Sequence, residues 1–349
     1  MPPDARATLL QVRGLRTWFD VEGRTAKAVD GVDFAIRENE VFGLVGESGC
    51  GKSVTALSIL RLVPSPPGRI EAGQILFRGR DLLALPYPEM RAIRGRDISM
   101  IFQEPMTALN PVFTVGFQLR EAIRHHASMS KAAATDRAAE MLDLVGIPDG
   151  RARLAAYPHQ MSGGMRQRVM IAMALSLQPA LLIADEPTTA LDVTIQAQVL
   201  ELMLSVRKKT GDASILLITH NLAVVAETCE RVAVMYGGKI QEVATTRDLF
   251  RRPLHPYTHG LLQSLPRADR PPQRRLTTIP GIVPSILDFP TGCKFWTRCP
   301  LKEDLCTRVE PELVEIAPGH HCRCHLVKPD APPPAGLAAP LTPAPEPRP

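Results

Sequence analysis

No stretch of this sequence approaches the ~18 apolar residues that a membrane-spanning helix requires. The first residues, MPPDARATLLQVRGL, lack the basic-then-apolar layout of a secretory leader. A chain with neither is expected in the cytosol, where disulfides are rare and clustered cysteines more often hold metal. Strong charge is missing too. Lys and Arg number 41 against 36 Asp and Glu, an excess of +5, which fits a solvated basic surface and gives no sign of a nucleic-acid partner. No internal repeat is visible. What is present is ordinary for a globular protein of more than one domain: 349 residues, 45% apolar and 22% charged.

Along the chain, TLLQVRG (8–14) and VDFAI (32–36) read as short strands. VFGLV (41–45) is a continuous apolar run of the kind buried on both faces of a parallel sheet. A helix is predicted from Lys52 to Leu62, stopped by PSPPG (64–68). Residues 116–178 read as mostly helical, with Gly146 as a C-cap candidate. ALLIAD (180–185) and SILLIT (214–219) are again apolar strands, and 232–242 reads as a hairpin about Gly237 and Gly238. Strands alternating with helices argue for an α/β fold with a mainly parallel sheet. After about residue 250 the sequence turns proline-rich and irregular. From Pro329 onward nine of 21 residues are proline, so 329–349 is expected to be a disordered tail.

GESGCGKS, spanning Gly46, Glu47, Ser48, Gly49, Cys50, Gly51, Lys52 and Ser53, matches G-x-x-x-x-G-K-[S/T]. Its glycines let backbone N–H groups turn inward around phosphate at a helix N-terminus. Lys52 is placed to reach the β and γ phosphates and Ser53 to bind Mg²⁺. LLIADEP (181–187) ends an apolar strand with Asp185, a candidate Mg²⁺ holder, and Glu186, a candidate base for the attacking water. His220 and Gln103 follow further strands, as candidate contacts to the γ-phosphate and to Mg²⁺ or water. Ser162, Gly163 and Gly164 open another helix and offer a second anion site. Two phosphate sites with one lysine-bearing loop suggest head-to-tail pairing of two subunits.

With these residues in this order, the chain resembles the ATP-binding subunit of an ABC transporter over about residues 8–250. The resemblance implies a P-loop NTPase core of ABC ATPase type, with an antiparallel β subdomain and a helical subdomain inserted at about 104–178. It implies Walker A 46–53, a Q-loop at Gln103, a signature at 162–164, Walker B Asp185, catalytic Glu186, a D-loop at 190–192 and a switch at His220. Phe19, or Trp18, is the candidate for stacking on adenine. IFQEPMTALNP, MSGGMRQRVMIAMAL, HPYTHGLL and GCKFWTRCP further resemble the oligopeptide/dipeptide importers, to about residue 328. Met165 and Asn221 stand where the general pattern has Gln and Asp. That likeness implies ATP and Mg²⁺ as ligands and a second, different ATPase subunit. It also implies two permease subunits, an extracytoplasmic peptide-binding protein and a place on the cytoplasmic face of the membrane. Relatives serving nickel chelates or glutathione, and soluble ABC ATPases, are the alternatives.

Cys293, Cys299 and Cys306 are spaced C-x5-C-x6-C, with Cys322 and Cys324 following. From the residues alone, an iron–sulfur cluster and zinc are level, with His320, His321 and His325 as further zinc ligands. The importer likeness implies a [4Fe–4S] cluster on Cys293, Cys299, Cys306 and Cys324, with Cys322 as alternate. A small, irregular, Cys-rich C-terminal domain at 251–328 is expected to carry it.

Overall fold

A computed structural model describes residues 6–103, 109–187, 193–265, 278–329, 331, 334 and 337. The D-loop expected at 190–192 and most of the 329–349 tail lie outside these residues. The chain falls into two compact units. One comprises Met1–Leu9, Ile36–Glu40 and Ala84–Ile218; the other comprises Leu10–Ala35, Val41–Leu83 and Thr219–Pro349. In chain order the strands are β1 (Thr8–Val21), β2 (Arg24–Arg37), β3 (Val41–Val45), β4 (Gly68–Phe77), β5 (Arg80–Asp81) and β6 (Ile98–Ile101). They continue with β7 (Leu181–Asp185), β8 (Ser214–Thr219), β9 (Arg231–Tyr236), β10 (Lys239–Thr245), β11 (Val314–Ala317) and β12 (His320–Cys322).

In the first unit β6, β7 and β8 run parallel, with Ile101 opposite Ala184 and Asp185 opposite Ile218. Every residue of β7 and β8 is buried, as their unbroken apolar sequences require. Burying one such Leu or Ile contributes ~1.5–3 kcal/mol. Helices Val115–His126, Lys131–Leu144 and Gly163–Leu175 begin at Thr114, Ser130 and Ser162, whose hydroxyls accept backbone N–H groups of the first turn. Lys131–Leu144 ends as the sequence suggests. Gly146 adopts φ 70, and the next amide closes the turn by donating to the Leu142 carbonyl at 3.0 Å.

In the second unit β3 runs parallel to β9, and β9, β10, β12 and β11 follow antiparallel. The β9–β10 hairpin turns at Gly237 and Gly238, both at positive φ. A separate four-stranded sheet has the order β2, β1, β4, β5. The segment read as irregular after residue 250 contains more order than its sequence suggests. Helix Pro256–Gln263 forms, and β12 adds to the edge of β10, with Cys322 opposite Glu242.

Candidate functional site

In the second unit the buried strand β3 delivers the chain into Gly46. Glycine is demanded here. Gly46 (φ 157) and Gly51 (φ 106) lie so close to backbone that a Cβ would fall on the carbonyl oxygens of Met235 and Ala28 respectively. The loop is also tied from outside, since Gly238 N–H donates to the Cys50 carbonyl at 3.1 Å. Lys52 is buried and folds back over the loop. Its ammonium donates to the Gly46 carbonyl at 2.8 Å and the Glu47 carbonyl at 3.1 Å. It also lies 3.8 Å from the Cys50 sulfur. Burial raises the Cys50 thiol pKa, an effect that the charge on Lys52 partly opposes, so Cys50 is unsuited to act as a nucleophile. Ser53 follows in the first turn of helix Lys52–Ile59 and is half-buried. Glu47 is held at two points: its N–H donates to Tyr257 Oη at 2.9 Å, and its carboxylate accepts Arg298 at 2.6 and 3.1 Å.

In the first unit Asp185 ends β7 and is 3% exposed. Glu186 follows at φ 43, its N–H donating to the Ile218 carbonyl at 2.9 Å. That left-handed turn, costly for a non-glycine residue, redirects the side chain at the strand end. Gln103, two residues beyond β6, donates from Nε2 to Glu186 Oε2 at 3.1 Å. The parallel register of β6 and β7 thus joins two residues that sequence order alone left apart. Ser162 caps its helix, accepting the Met165 N–H at 3.3 Å. Gly163 and Gly164 have ordinary φ, and a Cβ on either would meet nothing within 4 Å among the described residues.

His220 follows β8 and is exposed. Asn221 starts helix Leu222–Thr228 with its side-chain oxygen accepting from Ala223 N–H at 3.0 Å and Val224 N–H at 3.5 Å. Asn caps a helix about as well as Asp, so the departure from the family pattern has a local role. Phe19 is half-buried opposite Gly68, where a Cβ would press on its ring. Trp18 has the Lys27 ammonium 5.0 Å from its ring centroid and the Arg69 guanidinium 5.9 Å away.

The expected iron–sulfur centre is corrected by the structure. Among the described residues, no group of three or more His, Cys, Asp or Glu is arranged to hold a metal ion. Cysteine spacing carried no geometry: Cys322 packs in a small apolar cluster with Leu254 and Val327, with Cys324 against it. Burial pushes the Cys293 thiol up to about 11 and the Cys324 thiol up to about 12. The zinc alternative gains no ligand group either. His320 Nε2 lies 2.8 Å from Glu242, and His325 Nε2 lies 2.9 Å from the Val309 carbonyl.

Sequence reasoning missed Tyr257 and Arg298, which hold Glu47 in the 46–53 loop. Residues 255–262 stood out by resemblance only, and a lone arginine among cysteines gives no signal from spacing.

Comparison with known proteins adds the following. Residues 29–189 match the family described as ABC transporter, and 241–306 match the oligopeptide/dipeptide transporter C-terminal region. The chain is 54% identical over 316 residues to a probable peptide ABC transporter ATP-binding protein of Sinorhizobium fredii, covering 90% of this chain and 94% of that one. It is 54% identical over 318 residues to a dipeptide transport ATP-binding protein of Bacillus subtilis, covering 91% and 94%. Among solved structures, a dimeric bacterial ABC transporter cassette aligns with a TM-score of 0.60 at 25% identity, covering 68% of this chain and 99% of that chain.

Proposed function

The chain belongs to the ATP-binding proteins of peptide ABC transporters, and from that membership we propose how its residues drive import. It is an ABC-type ATPase that energises uptake of peptides. The observation that carries the mechanistic reading is the loop 46–53, where the fold itself demands glycine and an inward-folded Lys52 covers the loop. Such a loop suits phosphate, and the oxygen donors Ser53 and Asp185 suit Mg²⁺.

On binding ATP, Lys52 exchanges the Gly46 and Glu47 carbonyls for β and γ phosphate oxygens. Ser53 and Asp185 would hold Mg²⁺, which would supply neutralisation of phosphate charge. Glu186, steadied by the Gln103 amide, takes a proton from the water that attacks the γ-phosphorus. The bond to the β-phosphate oxygen breaks, leaving ADP and inorganic phosphate, with His220 against the γ-phosphate. Phe19 remains the proposed adenine contact.

Ser162, Gly163 and Gly164 act on a partner's nucleotide. Ser162 and Gly163 are exposed, Gly164 is half-buried, and among the described residues nothing sterically requires either glycine, which supports close approach by a second subunit. That partner is proposed to be a different ATPase subunit, the pair acting beneath two permeases served by an extracytoplasmic peptide-binding protein. Among the described residues no helix is long and apolar enough to cross a membrane, so attachment to the cytoplasmic face through permeases fits. The proposed division is an ATPase core at 1–250 and a C-terminal region at 251–328.

Uptake of labelled dipeptide by cells deleted for this gene tests the reading. Wild-type gene is expected to restore uptake and Glu186→Gln is not; uptake intact without the gene would refute peptide import.

A further inference from the structure

We propose that Arg298 and Tyr257 are positioning residues for the nucleotide site, fixing Glu47 at both its carboxylate and its amide so that the phosphate loop is held ready. The inference rests on reading 46–53 as the phosphate site.

Glu47 sits directly after Gly46. Arg298 meets its carboxylate as a fork, Nη1 to Oε2 at 2.6 Å and Nη2 to Oε1 at 3.1 Å, with side-chain exposures of 5% for the arginine and 28% for the glutamate. The guanidinium is itself anchored, donating from Nε to the Pro280 carbonyl at 3.1 Å and from Nη2 to the Ile279 carbonyl at 3.4 Å. A two-pronged pair of this kind fixes orientation as well as distance, which a lysine could not do. On the backbone side, Tyr257 Oη accepts the Glu47 N–H. Tyr257 is fully buried, its ring centroid 4.7 Å from Tyr236 and 5.3 Å from Phe295, so the hydroxyl has little freedom to move.

The clamped residue is also the one whose carbonyl receives the Lys52 ammonium at 3.1 Å. Contacts therefore run from Arg298 through Glu47 to the lysine that must meet the phosphates. An ion pair serving stability alone would have no such continuation. Releasing the clamp lets Glu47 rotate, loosens the backbone that must converge on phosphate, and leaves an unpaired carboxylate near the incoming polyphosphate. Each consequence weakens nucleotide binding. The C-terminal region thereby acts on ATP affinity while contributing no group to the phosphates.

The test is the Kd for MgATP of the full-length chain at a temperature where each variant is folded, with Lys52→Ala alongside. Arg298→Met is expected to weaken binding about tenfold, or ~1.4 kcal/mol, and Tyr257→Phe by about threefold. Wild-type affinity in folded Arg298→Met overturns the proposal. If that variant does not fold, Tyr257→Phe decides, since it keeps the ring and removes only the hydroxyl; wild-type affinity there is equally fatal. Lys52→Ala separates the two readings. Lost binding there beside unchanged Arg298→Met sinks the clamp alone, whereas native binding in Lys52→Ala sinks the phosphate-loop reading itself.

Discussion

Two glycine-bearing loops, 46–53 and 162–164, use the same residue for opposite reasons. In the first, Gly46 and Gly51 are forced by the chain's own packing, with positive φ and backbone carbonyls where a Cβ would lie. In the second, Gly163 and Gly164 adopt ordinary helical geometry, and among the described residues a Cβ on either meets nothing within 4 Å. One loop needs glycine to exist. Among the described residues nothing requires it of the other, which fits a subunit acting across a dimer.

The comparison breaks most sharply at Gly51. Gly51→Ala places a methyl on the Ala28 carbonyl at a φ that alanine avoids, so its expected cost is ~4 kcal/mol or more. Urea unfolding would read this as a large drop in midpoint, and nucleotide binding should vanish with it.

Acid should separate the two regions next. His255 is fully buried and its Nδ1 accepts the Tyr257 N–H, capping helix Pro256–Gln263, which carries the tyrosine behind Glu47. Burial lowers its pKa to about 4 from the ordinary 6.5. The unfolded chain therefore binds the extra proton between those values. The stability held by neutral His255 is complete above about pH 6.5 and is lost as pH falls toward 4, by up to ~3 kcal/mol. The helix at 163–175 is capped by the Ser162 hydroxyl, which does not titrate in this range. Hydrogen exchange at pH 7 and pH 5 should show loosening at 256–263 and none at 163–175; equal loosening would remove the distinction.

Gly164→Ala sharpens the comparison from the other side. Alanine favours a helix over glycine by up to ~1 kcal/mol, so the melting temperature should hold or rise slightly. Steady-state phosphate release by the assembled transporter should nonetheless fall about tenfold as the methyl obstructs the partner's nucleotide. Ser162→Ala should cost ~1 kcal/mol in unfolding free energy through loss of the cap hydroxyl.

Much of this arrangement was legible in the residues. VFGLV and SILLIT predict β3 and β8 to the residue, because strands buried on both faces leave unbroken apolar runs. Strand β4 was invisible for the opposite reason: its middle, Ala72, Gly73 and Gln74, is exposed and follows no alternation. Short β12 exists because β10 offers it an edge, and β11 adds to β12 in turn, which no local pattern announces. Gln103 and Glu186 each stood out beyond a predicted strand, yet their contact needed the β6–β7 register. The Arg298–Glu47 pair, 251 residues apart in sequence, had no local signature at all. The cysteine reading failed because spacing lists possible ligands without placing their sulfur atoms.

Phosphate release from MgATP by the assembled transporter tests directly whether Glu186 serves as the base in ATP hydrolysis. Glu186→Gln preserves size and the capacity to meet Gln103 while removing the proton acceptor. If Glu186 is the base, turnover falls at least ~100-fold with MgATP binding retained. Turnover within a factor of two of wild type would contradict it.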